Sequence, residues 1–248
     1  MGREFEMRKE VELAASPEQV WEAIATGPGI DSWFIGRSEV EPGEGGTVRT
    51  AFGQYMPESS VTAWEPLRRF AYRTAEAEDG RFIAYEFLIE GRGGGSTVLR
   101  AVTSGFLPGD DWEAEYDAMI KGGEMFFRTL VEYLTHFAGR TATPITAFGP
   151  PVADWERAWA LLNGVLGLTG PVAEGDQVRF APDGLAPIEG VVYFVNPDTL
   201  GLRTGDALYR FLRGFHGPMV VAHHLFSDDV DQQRTERAWQ SWLAQVFA

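Results

Sequence analysis

Two short stretches of this chain stand in fixed relation to two others. Val178 of "EGDQVRFAP" follows Val48 of "GGTVRTAF" by 130 residues, and Val191 of "EGVVYFVNP" follows Val61 of "SSVTAWEP" by the same 130. A shared offset at two separate strand-like segments marks an internal repeat. No other feature constrains the chain as much, because a repeat must fold twice by one plan. With 248 residues there is room for two ordinary domains. The helix starts agree, since "SPEQVWEAI" (16–24) has a second version in "VADWERAWALL" (152–162).

The first copy can be read element by element. Phe5, Met7, Val11 and Leu13 alternate with Glu4, Glu6, Arg8, Glu10 and Glu12, the pattern of a half-buried strand. Ser16, Pro17 and Gln19 form a capping box with proline at the first helical position. Val20, Trp21 and Ile24 give that helix its buried stripe, and Gly27-Pro28-Gly29 ends it. After "DSWF" and a turn at "EPGEGG" come the strands "TVRTAF", "SSVTAWEP", "RRFAYRTA", "RFIAYEFLIEG" and "STVLRAVTSGF". Ile83, Tyr85, Phe87 and Ile89 share one face, with Glu86 and Glu90 on the other. "GRGGG" is the hairpin turn.

A long helix follows, capped by Asp110 or Asp111 and running to about Phe137. Tyr116, Met119, Phe126, Leu130, Leu134 and Phe137 make its apolar stripe, and Gly123 lies on the same stripe. Gly122 and Gly123 each cost the helix roughly 1 kcal/mol relative to Ala. Glycine in such a place permits close approach to a strand or leaves room for something bound.

The domains are expected at 1–138 and 152–248, with a linker over 139–151 in which "PITAF" could serve as a short first strand. In the second, shortened copy a helix precedes the strands, "ALYRFLRGFHGPMVVAHHLFSDD" is the last hairpin, and "DQQRTERAWQSWLAQVF" the closing helix. Trp155 and Trp159, and Trp239 and Trp242, share helix faces and are expected to form its core.

Several chemistries are excluded early. There is no cysteine, hence no disulfide, thiolate metal site or cysteine nucleophile. Acidic residues outnumber basic ones 36 to 21, so phosphate backbones and anionic lipid are repelled, and neither nucleic acid nor membrane is an expected partner. No apolar run is long enough to span a bilayer, and "MGREFEMRKEVEL" lacks the apolar region of a signal peptide. Glu6 spoils the myristoylation pattern. A cytoplasmic protein is the simplest expectation.

His223 and His224 adjoin on a strand and point to opposite faces, and with His136 and His216 they show no metal-ligand spacing. Asp110-Asp111 and Asp228-Asp229 each precede a helix and read as caps rather than proton-sharing carboxylates. "GRGGGS" lacks the lysine of a phosphate loop, and no Ser-His-Asp set or dinucleotide fingerprint is present. Neither a metal nor a cofactor is expected.

"SPEQVWEAIATGPGIDSWF", "EPGEGGTVRTAF", "VTAWEPLRRFAY" and "TSGF" before a long helix resemble the branch of the START-like (SRPBCC) superfamily named after the activator of the Hsp90 ATPase, AHSA1. The resemblance covers about residues 3–137 and is weak beyond, where Asn196-Pro197 replaces Glu65-Pro66. It implies an α+β, tandem helix-grip architecture. An antiparallel sheet wraps a long C-terminal helix, and a cavity between them takes an apolar or amphipathic small molecule.

Candidates for lining that cavity are Trp33, Phe34, Phe52, Trp64, Tyr72, Tyr85, Phe87, Phe106, Met119, Gly123 and Phe126. The alternative is that these aromatics simply fill the core. Binding of a hydrophobic small molecule without catalysis is the leading expectation. A polyketide aromatase/cyclase is a second, with Tyr72, Tyr85 or His224 as its acid or base. An Hsp90 co-chaperone is a third, although the additional amino-terminal binding sequence of co-chaperone members is not seen. A further alternative makes the second copy purely structural, its ligand site lost. A homodimer is left open.

Overall fold

The computed structural model describes residues 2–53, 56–109, 112–214 and 217–247, and the chain divides into two units, Met1–Thr141 and Ala142–Ala248. Asp110, Asp111 and His216, which the sequence singles out, lie outside the described residues.

The first unit runs β1 (Arg3–Leu13), α1 (Pro17–Ala25), α2 (Gly27–Asp31), β2 (Arg37–Val40), β3 (Thr47–Ala51), β4 (Glu58–Glu65), β5 (Arg69–Thr74), β6 (Phe82–Gly91), β7 (Thr97–Leu107) and α3 (Trp112–His136). Its sheet has the order β1-β7-β6-β5-β4-β3-β2, every pair antiparallel. The capping box is present at α1. The Ser16 hydroxyl accepts from Gln19 N–H at 3.3 Å, and the Gln19 side chain accepts from Ser16 N–H at 2.9 Å.

The second unit runs β8 (Thr143–Pro151), α4 (Trp155–Val165), β9 (Gln177–Phe180), β10 (Ile188–Asn196), β11 (Thr199–Arg203), β12 (Ala207–Arg213), β13 (Pro218–Leu225) and α5 (Gln232–Phe247). Its order, β8-β13-β12-β11-β10-β9, repeats the first, without counterparts of α2 and β2 among the described residues. In both units the first strand lies beside the last and the final helix follows. The fold class is α+β, and each unit is a sheet closed on its C-terminal helix.

Three expectations need correction. The segment 139–151 is mostly not a linker. Residues 143–151 form β8, which pairs with β13 from Leu225↔Thr143 to Pro218↔Pro151. Ile145 and Ala147 of this strand are buried, a demand that a polar linker does not meet.

The second offset is 131, not 130. Thr47 pairs with Ser60 while Gln177, 130 residues on, pairs with Val191. Val191 therefore stands where Ser60 does, and Val192 is the counterpart of Val61. Their amides agree: Val61 N–H donates to Gly46 O and Val192 N–H to Asp176 O. Val61 and Val192 are both core residues, whereas Val191 is only half-buried. The loop between β9 and β10 holds one extra residue, and a one-residue slip reverses the faces of a strand.

The cap of α5 is Asp231, whose Oδ1 accepts from Arg234 N–H at 3.0 Å, and not Asp228-Asp229. Asp154 caps α4 in the same way, accepting from Arg157 N–H at 3.0 Å.

Candidate functional site: the inner face of the first sheet

Register fixes which side chains look toward α3. Phe70 faces Phe87 and Tyr72 faces Tyr85 across β5 and β6, so these four rings share one face. On β1 the same face carries Phe5, Met7, Lys9 and Val11, opposite Gly105, Thr103, Ala101 and Leu99 of β7. The α3 helix covers this face, with Tyr116 against Phe5 at a ring separation of 5.7 Å.

The candidates fall into two connected rows of rings. In one, Trp33 meets Phe87 at 6.4 Å and Phe34 at 5.4 Å, and Phe34 meets Phe126 of α3 at 4.2 Å. Trp33 is anchored, since its indole N–H donates to Ala23 O of α1 at 2.9 Å. In the other, Trp64 contacts Phe70 at 5.4 Å, Phe70 contacts Tyr72 at 5.3 Å, and Tyr72 contacts Tyr85 at 5.1 Å. Trp64 also packs on Trp21 of α1 at 5.0 Å, so it sits at the α1 end of the row. Phe52 lies just beyond β3, half-buried, in step with Val48 and Thr50.

Phe106 does not join them. It pairs with Glu4 and Phe82, which places it on the outer face. The inward position next to it is Gly105, where the Phe82 carbonyl and then the Phe5 ring take the space a side chain would use. Residue type suggested Phe106; strand parity decides against it.

Met119, Gly123 and Phe126 stand on the α3 stripe that also carries Tyr116, and Met119 and Phe126 are half-buried. A Cβ at Gly122 or Gly123 would meet nothing within 4 Å. The glycines therefore do not serve close helix–strand approach; they leave space.

Three polar residues of this region were not singled out from the sequence. Asp31, at the end of α2, is buried and accepts Ser38 N–H at 2.6 Å, with Arg37 at 3.4 Å. Burial pushes its carboxyl up to about 6, against the opposing pull of the Ser38 amide and the Arg37 charge. Lys9 sits on the inner face with its ammonium 5.8 Å from the Phe127 ring. Desolvation lowers its pKa, and Glu124 works in the opposite direction. Strand parity could have found it, because Lys9 falls in step with Met7 and Val11. Tyr133 donates to Arg140 O at 2.9 Å, and burial pushes its hydroxyl up to about 12.

The inner face of the second sheet is different. Phe211, Val221 and His223 are fully buried there against Trp239, with Trp242 beside them. Trp155 and Trp159 pack at the margin of this core rather than within it. His223 accepts Arg210 N–H at its Nδ1 (3.1 Å), and burial holds it well below the usual histidine range. His224 points to the opposite face, where it meets the Arg210 guanidinium at 2.7 Å. It therefore cannot serve as an acid or base inside the grip. Among the described residues no cluster of His, Asp and Glu could hold a metal ion, and no helix is long and apolar enough to cross a membrane.

Residues 14–135 match the family model described as "Activator of Hsp90 ATPase homolog 1-like protein". No curated protein matches the chain. Among solved structures, protein MLL2253 from Mesorhizobium loti is 22% identical, with 52% of this chain and 96% of that one covered and a TM-score of 0.46. DynU16, a protein of the dynemicin biosynthetic locus, is 19% identical over 98% of this chain and 95% of its own, at a TM-score of 0.43. The di-domain ARO/CYC BexL of the BE-7585A biosynthetic pathway is 14% identical over 89% of this chain and 84% of its own, at 0.46.

Proposed function

We propose, from the premise that residues 14–135 form a domain of the activator of Hsp90 ATPase homolog 1-like family, that the first unit binds an apolar, ring-bearing small molecule between α3 and the inner face of its sheet. The family supplies the architecture, and function has to be argued from the site.

One observation carries the reading. The two units share a plan, yet their inner side chains are covered to different degrees. In the second, the inner side chains of β12 and β13 are sealed by tryptophans of α5. In the first, Phe34, Tyr72 and Tyr85 of the sheet side and Met119 and Phe126 of the 25-residue helix stay half-buried, and a Cβ at Gly122 or Gly123 would meet nothing within 4 Å. Rings left partly uncovered beneath a helix are unspent hydrophobic surface, which an apolar guest would cover at roughly 25 cal/mol per Å².

The polar groups suggest what else the guest carries. Burial raises the Tyr72 pKa, so its hydroxyl stays protonated and keeps a proton to offer an acceptor. An otherwise apolar ligand with a carbonyl or hydroxyl oxygen suits that donor.

Prodan, a neutral naphthalene with one ketone, is a suitable probe. Its emission should shift to the blue and intensify with the wild-type chain and with Gly123→Ala, and Gly123→Trp should abolish the change by filling the groove. Equal prodan binding by wild type and Gly123→Trp would remove the proposal.

A further inference from the structure

The second unit, though sealed in its interior, has a hollow at one end. It opens at the Ala207 end of β12; α4 starts near the other end, where Trp155 lies 5.2 Å from the Arg213 guanidinium. The loop around residues 184–187, the turn at 204–206 and the segment 227–231 before α5 border an open hollow of about 630 Å³. That is the size of an ordinary small-molecule site.

Its floor is apolar and aromatic: Leu185, Ile188, Leu225, Val230, Tyr209 and Trp239. Among the described residues its rim is acidic, with Glu189, Asp206, Asp229 and Asp231 against the cation Arg234. The carboxylates are not equally available. Glu189 pairs with Arg179 at 2.9 Å. Asp231 is committed to the first amides of α5, so the positive helix end is already met by an anion. Asp206 accepts the hydroxyls of Thr204 at 2.8 Å and Ser227 at 3.1 Å, neither of which brings positive charge. Asp229 is exposed on the same rim. Tyr209, half-buried beside Asp206, keeps its proton, because burial and then the Asp206 charge raise its pKa.

We infer that this hollow binds a ring-bearing organic cation, an aromatic amine or quaternary ammonium, with its rings on the apolar floor and its charge toward Asp206 and Asp229. A ring under a negative rim favours a cation twice: through the face of the half-buried Tyr209 and through the carboxylates. The site lies wholly in the second unit and does not depend on the reading of the first.

The test uses two planar dyes of similar shape with the full chain, near neutral pH: proflavine, a cation, and acridine, neutral there. Proflavine should bind more tightly than acridine. The double variant Asp206→Asn with Asp229→Asn should weaken proflavine about tenfold and leave acridine unchanged. Asparagine at 206 keeps an oxygen for one hydroxyl and offers its NH2 to the other, which turns to accept, so the fold is preserved. Arg234→Ala should tighten proflavine by removing a cation of the rim, and Gly123→Trp, in the other unit, should leave proflavine binding unchanged while removing any acridine held there. Nonspecific attraction to a chain of net charge −15 would survive the double variant. Undiminished proflavine binding in that variant, equal affinity for the two dyes once Gly123→Trp has closed the first unit, or loss of proflavine binding in Gly123→Trp would each overturn the inference.

Discussion

Asp31→Asn isolates the energetic effect of one buried carboxylate on the first unit. Asp31 ties the end of α2 to the start of β2 through the Ser38 amide, and Trp33 and Phe34 hang on the segment between. Its pKa rises from 3.8 to about 6, burial being the largest cause. A raised carboxyl pKa means that the folded state holds its proton longer than the unfolded chain. Stability is therefore greatest below the unfolded value, falls as pH rises between about 4 and 6, and is flat above. A rise of about two pH units at roughly 1.4 kcal/mol per pH unit, discounted for solvent reaching the Arg37 side, gives about 2–3 kcal/mol. Asparagine keeps an oxygen for Ser38 N–H and cannot ionise. Urea unfolding of wild type and variant at a series of pH values gives a difference curve in which all other titrations cancel. That curve should move by about 2–3 kcal/mol in favour of the variant between pH 4 and 6. A carboxyl-carbon NMR titration should place Asp31 near 6. A flat curve, a curve of opposite sign, or an Asp31 that titrates at an ordinary value would refute the role assigned to burial.

Further outcomes follow from packing and caps. Gly122→Ala and Gly123→Ala should each stabilise the protein by about 0.5–1 kcal/mol, because helix propensity improves and the added methyl meets nothing; thermal unfolding checks this. Trp239→Ala should cost about 3–5 kcal/mol by opening a cavity against Phe211 and His223, read as lost hydrogen-exchange protection in β12 and β13.

How far the sequence reaches depends on the kind of signal. The capping box, the long stripe of α3 and the Ile83–Ile89 face are legible because each is local, set by a spacing of three, four or two. The repeat is legible too, but its second offset comes out wrong by one. Two valines aligned by identity outweigh the parity of the strand, and only pairing reveals the extra residue between β9 and β10. Phe106 fails for a related reason: an aromatic in a strand says nothing of its face until a neighbouring strand is in register. Asp31 and Lys9 escape notice because a polar residue in a sequence reads as outward. Asp31 is buried by where α2 ends relative to β2, which no local pattern encodes.

The difference between the two units can be traced to their closing helices. Along α3 the stripe facing the sheet passes from Tyr116 and Met119 through Gly122-Gly123 to Phe126, so its middle turn contributes no side-chain volume. The stripe of α5 presents Trp239, Trp242 and Leu243, all buried, and Phe180 and Phe211 close on the two indoles at 6.0–6.4 Å. Interiors tolerate little unfilled space, so a sheet of one plan becomes solid where its helix supplies tryptophan, whereas the glycine turn of α3 adds no side chain to the space it faces. The sheets need not diverge for this to happen; one helical turn suffices. Keeping two adjacent glycines inside a 25-residue helix is a standing cost, and a bound guest that returns the missing contacts would offset it.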